Sequence, residues 1–329
     1  MNAPRGDVDL EALADLAAPW CIPVAVTLRI ADQIAAGVDR IEGLSTVTGS
    51  DLYALHGVLT YLVRRGVFLE PKPGRFALNA AAERLRDPSL FLDLDGIGGR
   101  MAGSWETLPV YVRTGSPGYQ TKFGLPFWED LATNPKLRSS FDSLMGPDGH
   151  GLPDVDIEPS QGWEAIRSVV DVGGGTGTFL AQLLLRHGNA RGTLVDLPAT
   201  VARSAATFEQ AGVLDRVTIV GQSFFDALPA GADLYLLRHV LNDWPKRETV
   251  AILRRCAAAL PAHGRVVVLG GVTADGYSPE LTIEMVLLGG RTSSLTEFRF
   301  LASQAGLEVA ASSLGPHGPL GIECAPRAA

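Results

Sequence analysis

The amino-acid sequence predicts an α/β fold, in which a doubly wound parallel sheet follows a mainly helical N-terminal region. Three observations support this prediction. After residue 168, short continuous apolar segments alternate with helical segments, as in a parallel sheet covered by helices on both faces. Before residue 150, apolar residues recur at the three- and four-residue spacing of helices. The chain of 329 residues is also long for a single hydrophobic core.

The N-terminal region, residues 1–88, has the order of elements of a winged helix. Helical patterns cover residues 10–14, 24–36, 41–48 and 52–65, and Gly49, Ser50 and Asp51 form a helix stop and N-cap. Two short apolar segments, 67–69 and 75–78, flank the turn residues 71–74 and predict a β-hairpin. The sequence therefore predicts a winged-helix-like unit.

Charge decides what this unit is expected to do. Winged helices often bind DNA, and four basic residues surround the predicted wing: Arg64, Arg65, Lys72 and Arg75. The chain as a whole carries a net charge of −8, which opposes binding to a polyanion. We therefore expect a dimerisation role and no nucleic-acid partner.

Other features of the composition point to a cytoplasmic protein. The chain has no run of the roughly 18 apolar residues that a membrane helix requires. Acidic residues, instead of basic ones, precede the apolar stretch 16–28, which argues against a secretion signal. The three cysteines lie far apart and form no disulfide framework or metal-binding cluster. We expect no membrane partner and no metal.

The rest of the chain is predicted to form a helical connection and a sheet domain. Residues 89–155 are a helical linker region rich in aromatic residues, and residues 156–329 form the sheet domain, with the polar stretch 146–159 as the junction. The predicted strands are 168–172, 192–196, 217–220, 233–237 and 265–269. Helices are predicted at 176–187, 198–212 and 245–260, and a terminal strand pair at 307–312 and 320–324.

A glycine-rich turn directly follows the first predicted strand of the sheet. Asp171 ends the strand, and Gly173, Gly174, Gly175 and Gly177 lead into the next helix. Glycine has no Cβ, so such a turn brings backbone N–H groups close to a ligand at a helix N-terminus. Asp196 ends the second strand, where a carboxylate accepts hydrogen bonds from ribose hydroxyls. The turn predicts a nucleotide-type cofactor, either S-adenosylmethionine (SAM) or NAD.

Three features favour SAM. An acidic residue precedes the glycines, a polar residue and an aromatic, Ser223 and Phe224, follow the third strand beside the expected adenine, and the terminal strand pair is predicted to be antiparallel. We assign cofactor binding to eight residues: Asp171, Gly173, Gly175, Asp196, Leu197, Ser223, Phe224 and Arg238.

The sequence resembles the bacterial small-molecule SAM-dependent O-methyltransferases of polyketide and antibiotic biosynthesis, which are related to plant caffeic-acid-type enzymes. The matching stretches run in order through nearly the whole chain: 16–19, 27–32, 127–131, 171–177, 196–198, 223–229, 241–244, 252–256 and 289–291. The resemblance implies a class I methyltransferase domain of Rossmann-like fold, an intertwined homodimer, and S-adenosyl-L-homocysteine as the product of SAM. It also implies that an aromatic acceptor lies among Trp105, Phe127, Phe141, Met145, Trp244 and Met285, although each of these side chains is equally compatible with core packing.

The catalytic pattern of the family is broken in this chain. Many members have a histidine where this chain has Asn242, supported by two glutamates where it has Gly270 and Thr292. Asparagine cannot act as a base at neutral pH. His239, three positions earlier, and His150, in the polar stretch, are the candidate substitutes, with Asn242 expected to orient the acceptor.

The sequence therefore leaves three functional hypotheses. The first is an O-methyltransferase that acts on a hydroxyl of a small aromatic or polyketide-derived intermediate, mainly by proximity and orientation. The second is a SAM-binding enzyme of the same fold that catalyses a non-methylating step such as hydroxylation, decarboxylation or a pericyclic reaction. The third, a winged-helix regulator that senses SAM, is opposed by the acidic charge.

Overall fold

The computed structural model describes residues 8–145, 157–276, 280–314 and 320–327. The chain divides into two compact units after Ala102. Within the described residues, no helix is long and apolar enough to cross a membrane. The division into three parts at residues 88 and 155 stays a prediction.

The first unit consists of short helices followed by a hairpin. Its helices are α1 (Leu10–Leu13), α2 (Ala18–Thr27), α3 (Ile30–Ala35), α4 (Ile41–Thr48), α5 (Leu52–Arg64) and α6 (Ala80–Arg84). The strands β1 (Phe68–Lys72) and β2 (Arg75–Leu78) pair antiparallel. The Asp51 side chain caps α5 by accepting a 2.8 Å hydrogen bond from the Ala54 N–H, as the sequence predicts. This order of helices and hairpin confirms the winged-helix-like prediction.

One predicted helix of this unit is wrong in its bounds. Instead of a single helix over 24–36, the chain has α2 and α3, and Arg29 between them lies in the left-handed region with φ of 53°. Non-glycine residues rarely adopt this conformation, which ends α2. Helix α2 also begins earlier than predicted and contains Pro23. The core of the unit includes buried side chains from α3, α4, α5 and both strands: Ile30, Leu44, Leu59, Leu62, Phe68 and Phe76.

The basic residues near the hairpin are partly neutralised. Arg65 forms an ion pair with Asp15, and Arg75 forms one with Asp39 at 3.0 Å. These pairs lower the positive charge that the hairpin could offer to a phosphate backbone.

Among the described residues, five helices precede the sheet of the second unit. They are α7 (Ile97–Trp105), which begins before the division, α8 (Leu108–Thr114), α9 (Tyr119–Phe123), α10 (Phe127–Thr133) and α11 (Pro135–Met145). An aromatic cluster packs α9, α10 and α11 together: the ring of Phe127 contacts the rings of Tyr119, Trp128 and Phe141 at centroid distances of 5.3, 5.0 and 5.7 Å. The aromatic side chains of this region thus hold the three helices together.

The sheet of the second unit has seven strands in the described part of the chain. These are β3 (Ser168–Val172), β4 (Arg191–Asp196), β5 (Val217–Gly221), β6 (Leu234–Arg238), β7 (Arg265–Leu269), β10 (Leu307–Leu314) and β11 (Leu320–Pro326). Their order is β10-β11-β7-β6-β3-β4-β5. Strands β3 to β7 are parallel, and β11 pairs antiparallel with both β7 and β10. The predicted parallel sheet and its antiparallel terminal pair are confirmed.

Helices cover both faces of this sheet. They are α12 (Thr178–Arg186), α13 (Pro198–Val201), α14 (Ser204–Gln210), α15 (Lys246–Ala259), α16 (Ile283–Leu288) and α17 (Leu295–Gln304), with a small bridge between β8 (Val272–Thr273) and β9 (Ser293–Ser294). Alternate residues of the central strands point to opposite faces, so Val170 and Val172 join one buried cluster and Val169 joins another. The sequence predicts one continuous helix over 198–212, which is wrong, because the structure has two helices, α13 and α14, separated by a turn.

Candidate cofactor and acceptor site

The glycine-rich turn lies at the end of β3, where the carboxyl ends of the parallel strands meet. Gly173 has φ of 73°, and its N–H donates a 2.8 Å hydrogen bond to the Val195 carbonyl at the end of the neighbouring strand. A Cβ on Gly174 would lie 2.6 Å from both Asp171 Cγ and Leu194 Cδ1. Glycine is therefore required sterically at Gly174 and by backbone conformation at Gly173.

Asp196 is anchored to this turn. Its Oδ2 accepts a 2.8 Å hydrogen bond from the Gly175 N–H, and its Oδ1 accepts one of 2.7 Å from the Leu197 N–H. Burial raises the pKa of the Asp196 carboxyl, and the backbone hydrogen bonds from Gly175 and Leu197 oppose this rise. The carboxylate is thus held in one orientation at the edge of the sheet.

Asp171 is a buried carboxyl on the same edge. Only 1% of its surface is exposed, and its Oδ2 has no hydrogen-bond partner among the described residues. Burial raises its pKa to about 7; the Arg238 guanidinium lowers this pKa and the Asp196 carboxylate raises it. Burial likewise lowers the pKa of Arg238, and Asp171 opposes that change. An orphaned carboxyl beside a cavity fits a ligand that brings a positively charged donor, such as an ammonium group.

These residues surround a cavity of about 320 Å³ in the second unit. All eight residues assigned to cofactor binding line it, together with Thr176, Thr178 and Phe179 of the following turn and helix. The structure therefore brings together the whole set that the sequence indicated, including Ser223 and Phe224 beyond β5. Their fit to a nucleoside-type cofactor rests on the glycine-lined turn, the anchored Asp196 and the orphaned Asp171.

Part of the cavity lining is aromatic, but it differs from the predicted acceptor set. Phe141, Met145 and Trp244 line the cavity, as does Trp128. The other three predicted acceptor residues, Trp105, Phe127 and Met285, lie outside this lining.

Each of those three residues has another environment. Phe127 is 4% exposed within the aromatic cluster of α9 to α11, and Met285 is 9% exposed on α16. Trp105, at the end of α7, is 41% exposed. Phe127 and Met285 are therefore packing residues, and the indole of Trp105 lies at the surface. Contact of these three residues with an acceptor stays a prediction that this cavity does not support.

His239 directly follows β6 and lines the cavity. Its φ of 52° is left-handed, and its N–H donates a 2.8 Å hydrogen bond to the Leu269 carbonyl. A Cβ on Gly270 would lie 2.7 Å from the imidazole Nδ1, so the ring occupies space that only a glycine at this position leaves open. The residue departs from ordinary backbone geometry at the site, as functional residues often do.

Asn242, in contrast, does not line the cavity. Its Nδ2 donates a 2.9 Å hydrogen bond to the Oδ1 of Asp243, and its backbone packs closely against Gly271 and Gly290. Asp243 does line the cavity, and its pKa is raised to about 8, mainly by burial and also by the nearby Glu284 carboxylate. The Asn242 side chain is therefore linked to the cavity lining only through its hydrogen bond to the Asp243 carboxyl. The other candidate base, His150, lies outside the described residues.

The sequence reasoning missed several cavity residues, among them Trp128, Arg138, Asp142, Thr200 and Asp243. Arg138 and Asp142 share one face of α11 with the predicted Phe141 and Met145, because these positions are three, four and seven residues apart. That spacing was the signal that could have found them. The described residues contain no group of three or more His, Cys, Asp or Glu side chains that could hold a metal ion.

Comparison with known proteins places this site in a family. The O-methyltransferase domain family matches residues 105–308. The 2,7-dihydroxy-5-methyl-1-naphthoate 7-O-methyltransferase of Streptomyces carzinostaticus is 39% identical, over 95% of this chain and 96% of that protein. The aclacinomycin 10-hydroxylase RdmB of Streptomyces purpurascens is 36% identical, over 92% and 85% respectively. A crystal structure of an O-methyltransferase from neocarzinostatin biosynthesis, in complex with S-adenosyl-L-homocysteine and 1,4-dihydroxy-2-naphthoic acid, superposes with a TM-score of 0.88 at 37% identity, covering 98% of this chain and 99% of that one.

Proposed function

The chain belongs to the O-methyltransferase family, and from that membership we propose that it methylates a hydroxyl of a fused-ring aromatic carboxylic acid. It is a SAM-dependent O-methyltransferase of the kind that serves natural-product biosynthesis. The observation that carries the acceptor proposal is the cavity, whose wall combines the eight cofactor residues with aromatic and thioether side chains. Such a wall binds flat apolar rings.

The cofactor half of the cavity is assigned from its chemistry. The Asp171 carboxyl, whose Oδ2 is orphaned, would accept a hydrogen bond from the ammonium group of the methionine part. Asp196 would hold the ribose hydroxyls, and Phe224 would cover the adenine. When bound, SAM supplies a methyl group on a sulfonium, which the acceptor oxygen takes as the C–S bond breaks and leaves S-adenosyl-L-homocysteine.

The acceptor half combines apolar contact with hydrogen-bond donors. Trp128 and Phe141 meet edge to face at 5.6 Å and form one side of this half. The Trp128 Nε1 is buried without a hydrogen-bond partner among the described residues, so a donor is available at this wall. A carboxylate or carbonyl oxygen of the acceptor would satisfy it. The comparisons support an aromatic acid: one matched protein is named for a dihydroxynaphthoate, and one matched crystal structure contains a dihydroxynaphthoic acid.

His239 is the residue we propose as the base. It lies on the cavity wall between the cofactor residue Arg238 and the region of Trp244, and its left-handed backbone and close contact with Gly270 fix the ring. A neutral imidazole there would accept the proton of the acceptor hydroxyl as the oxygen is alkylated. Asn242 would act through Asp243 by holding its carboxyl in place.

Methyl transfer is tested by incubating the protein with SAM and a panel of hydroxynaphthoic acids, with matched naphthols that lack the carboxyl group. We expect S-adenosyl-L-homocysteine and one methyl ether per turnover, with a lower KM for the acids. If both classes turn over with equal KM, the carboxylic-acid part of the proposal is wrong. If neither class turns over, the acceptor proposal as a whole is wrong.

A second candidate function rests on one observation, the 36% identity to a 10-hydroxylase. The loss of the usual histidine at Asn242 fits a relative that binds SAM without donating its methyl group. This alternative predicts conversion of a pathway intermediate with no S-adenosyl-L-homocysteine formed. Product analysis by mass spectrometry separates the two, because methylation adds CH₂ and hydroxylation adds O.

We further propose that the protein works as a homodimer in the cytoplasm. Apolar side chains at the start of the first unit are exposed: Leu10, Leu13, Leu16 and Trp20. Such a concentration is typical of a surface that a partner covers. All three cysteines are free, which suits a reducing compartment. Light scattering with size-exclusion chromatography should give twice the 34.8 kDa chain mass, and a monomer at micromolar concentration would contradict the dimer.

A further inference from the structure

We propose that Arg138 selects acidic acceptors by binding the acceptor carboxylate with two adjacent guanidinium donors. This inference deepens the proposed function and rests on it. Arg138 lies on α11, three residues before Phe141 and seven before Met145, so the three side chains share one face of the helix. All three line the cavity. A positive charge is thus placed beside the side chains that we assign to the aromatic ring of the acceptor.

The Arg138 guanidinium has two donors that no described residue uses. The residue is 7% exposed. Its Nη1 donates a 3.0 Å hydrogen bond to the Thr200 hydroxyl, whereas Nε and Nη2 are buried and have no hydrogen-bond partner among the described residues. The Nε and Nη2 hydrogens lie on one edge of the planar guanidinium, where they match the two oxygens of a carboxylate. This edge therefore indicates a planar anion as its ligand.

The charge of Arg138 is incompletely compensated by its surroundings. The Asp142 carboxylate lies 3.9 Å away, too far for a hydrogen bond, and it pairs directly with Arg203. Burial lowers the pKa of the Arg138 guanidinium, and the Asp196 carboxylate opposes this change without offsetting it. A buried cation in such a place is stabilised by an anion that arrives with a ligand.

The shape of the surroundings favours an aromatic acid in the cofactor cavity. Arg138 also borders a second cavity, of about 330 Å³, together with Arg203. Among the described residues, the lining of that second cavity contains no aromatic ring. The first cavity is lined by Trp128, Phe141 and Trp244, which suit a flat ring. An acid whose carboxylate is attached to a fused ring therefore fits Arg138 from the first cavity.

The cofactor also carries a carboxylate, but another arginine lies at its amino-acid end. Asp171, which we assign to the ammonium group, pairs with Leu236 across β3 and β6. Arg238 is two residues beyond Leu236, so it lies on the same face of the sheet as Asp171, and it lines the cavity. Arg138 instead contacts Thr200 on α13, the helix that follows β4. We therefore assign the methionine carboxylate to Arg238 and the acceptor carboxylate to Arg138.

A guanidinium distinguishes a carboxylate from the carboxamide of the same ring. The amide has nearly the same shape, but it is neutral, and its NH₂ group cannot accept a hydrogen bond from Arg138. The Trp128 Nε1, the other unpartnered donor in this cavity, is neutral and can donate to either group. Preference for an acid over its amide is therefore the property that reports on Arg138.

The test measures, by calorimetry, binding of hydroxynaphthoic acids and of their carboxamides to protein saturated with S-adenosyl-L-homocysteine. The proteins are wild type, Arg138→Met, Arg138→Lys and a control, Lys136→Met, which removes a positive charge from an exposed position on the same helix. Wild type should bind an acid about 10- to 100-fold more tightly than its amide, as expected for hydrogen bonds to a charged group. Arg138→Met should lose this preference through weaker binding of the acid alone, and Lys136→Met should keep it.

Arg138→Lys keeps the charge but cannot form two parallel hydrogen bonds, so it should retain only part of the preference. It also decides the matter if Arg138→Met does not fold. Equal losses for acid and amide would show that Arg138 only supports the shape of the cavity, and would overturn the proposal. Equal affinity of wild type for acid and amide would overturn it as well. Failure of wild type to bind either class would instead contradict the proposed acceptor, on which this inference rests.

A second pair of ligands distinguishes the two carboxylates. S-adenosyl-L-homocysteine carries the cofactor carboxylate, and 5′-methylthioadenosine lacks it. We expect Arg138→Met to bind both as wild type does. A loss of affinity for S-adenosyl-L-homocysteine alone would assign Arg138 to the cofactor and overturn its assignment to the acceptor. Neither measurement requires turnover, so both decide the role of Arg138 even if no methyl group is transferred.

Discussion

Gly270→Ala should lower kcat by displacing His239, and this effect should disappear when His239 is already absent. Gly270 is the position where many members of the family have a glutamate. An added Cβ would lie 2.7 Å from Nδ1 and 3.0 Å from Cε1 of the imidazole, against an ordinary contact distance of at least 3.4 Å. The ring must therefore retreat by about 0.7 Å or rotate away from Gly270.

The expected magnitude follows from that displacement. Misplacing a reacting group by about 1 Å can cost roughly 100-fold in rate, so we expect kcat to fall between about 10- and 100-fold. His239→Gln removes the base altogether and should cost roughly 100-fold or more, or about 2.7 kcal/mol of transition-state stabilisation. Gly270 has φ of 84°, so alanine also destabilises the fold by about 1 kcal/mol, which a melting curve measures separately.

The assay is the initial rate of methyl-ether formation at saturating SAM and acceptor, for both single variants and the double variant. If His239 is the base, the double variant should be no slower than His239→Gln, because the displaced group is missing. If the rate loss of the double variant equals the product of the two single losses, Gly270→Ala acts by another route. A loss below about fivefold for His239→Gln, with an unchanged pH profile, would refute the assignment of His239 and leave deprotonation to water.

Three further outcomes can be measured on the same protein. The Asp171 pKa of about 7 in the folded protein exceeds its usual value of 3.8, so the folded state holds a proton that the unfolded state releases. The contribution of Asp171 to stability therefore falls as pH rises from about 4 to 7. Asp171→Asn should raise the melting temperature of the cofactor-free protein more at pH 8 than at pH 5. Asn242→Ala removes the hydrogen bond to Asp243 and should raise the acceptor KM by about fivefold with a smaller change in kcat; a selective fall in kcat would contradict an orienting role. The buried thiols of Cys256 and Cys324, whose pKa values burial raises to about 12, should resist a thiol reagent until the protein is unfolded, and rapid labelling of the native protein at either one would contradict their burial.

The cofactor half of the site could be predicted from the sequence because its residues lie at the ends of strands or directly after them. In a parallel sheet the carboxyl ends of the strands meet at one edge, so residues that directly follow apolar segments are brought together. Asp171 and Asp196 were identified in this way, and they line one cavity. The strand segments themselves were visible as continuous apolar runs because both faces of the sheet are covered.

The acceptor half could not be predicted to the residue, because it depends on the rotation of short helices. Phe127 and Trp128 are adjacent in α10, and one residue turns the side chain by about 100° around a helix axis. The family resemblance favoured Phe127, whereas the structure buries it in the aromatic cluster and turns Trp128 to the cavity. Long-range packing of α9 and α11 decides between the two, and no local pattern records that packing.

The broken helix over 198–212 has a similar cause. Helix α13 packs directly on β5, where a Cβ on Gly221 would lie 3.1 Å from the Pro198 Cα. The apolar periodicity continues through 198–212, so the local pattern favours one helix, but this close contact sets the direction of α13 independently of α14. The break also places Thr200 and Arg203 around Arg138 and Asp142, which no spacing in the sequence indicated.

If His239 is the base, as proposed above, then the substitutions at the usual catalytic positions have moved the base instead of removing it. A side chain at Gly270 would collide with the His239 ring in its present position, so the absence of the usual glutamate and the presence of this histidine are structurally coupled. The imidazole is held there although its left-handed backbone conformation is costly for a non-glycine residue. Asn242, at the position of the usual histidine, is meanwhile used to hold Asp243. This coupling favours methyl transfer over the hydroxylase-like alternative, because a proton acceptor beside the cofactor residues is what alkylation of a hydroxyl requires.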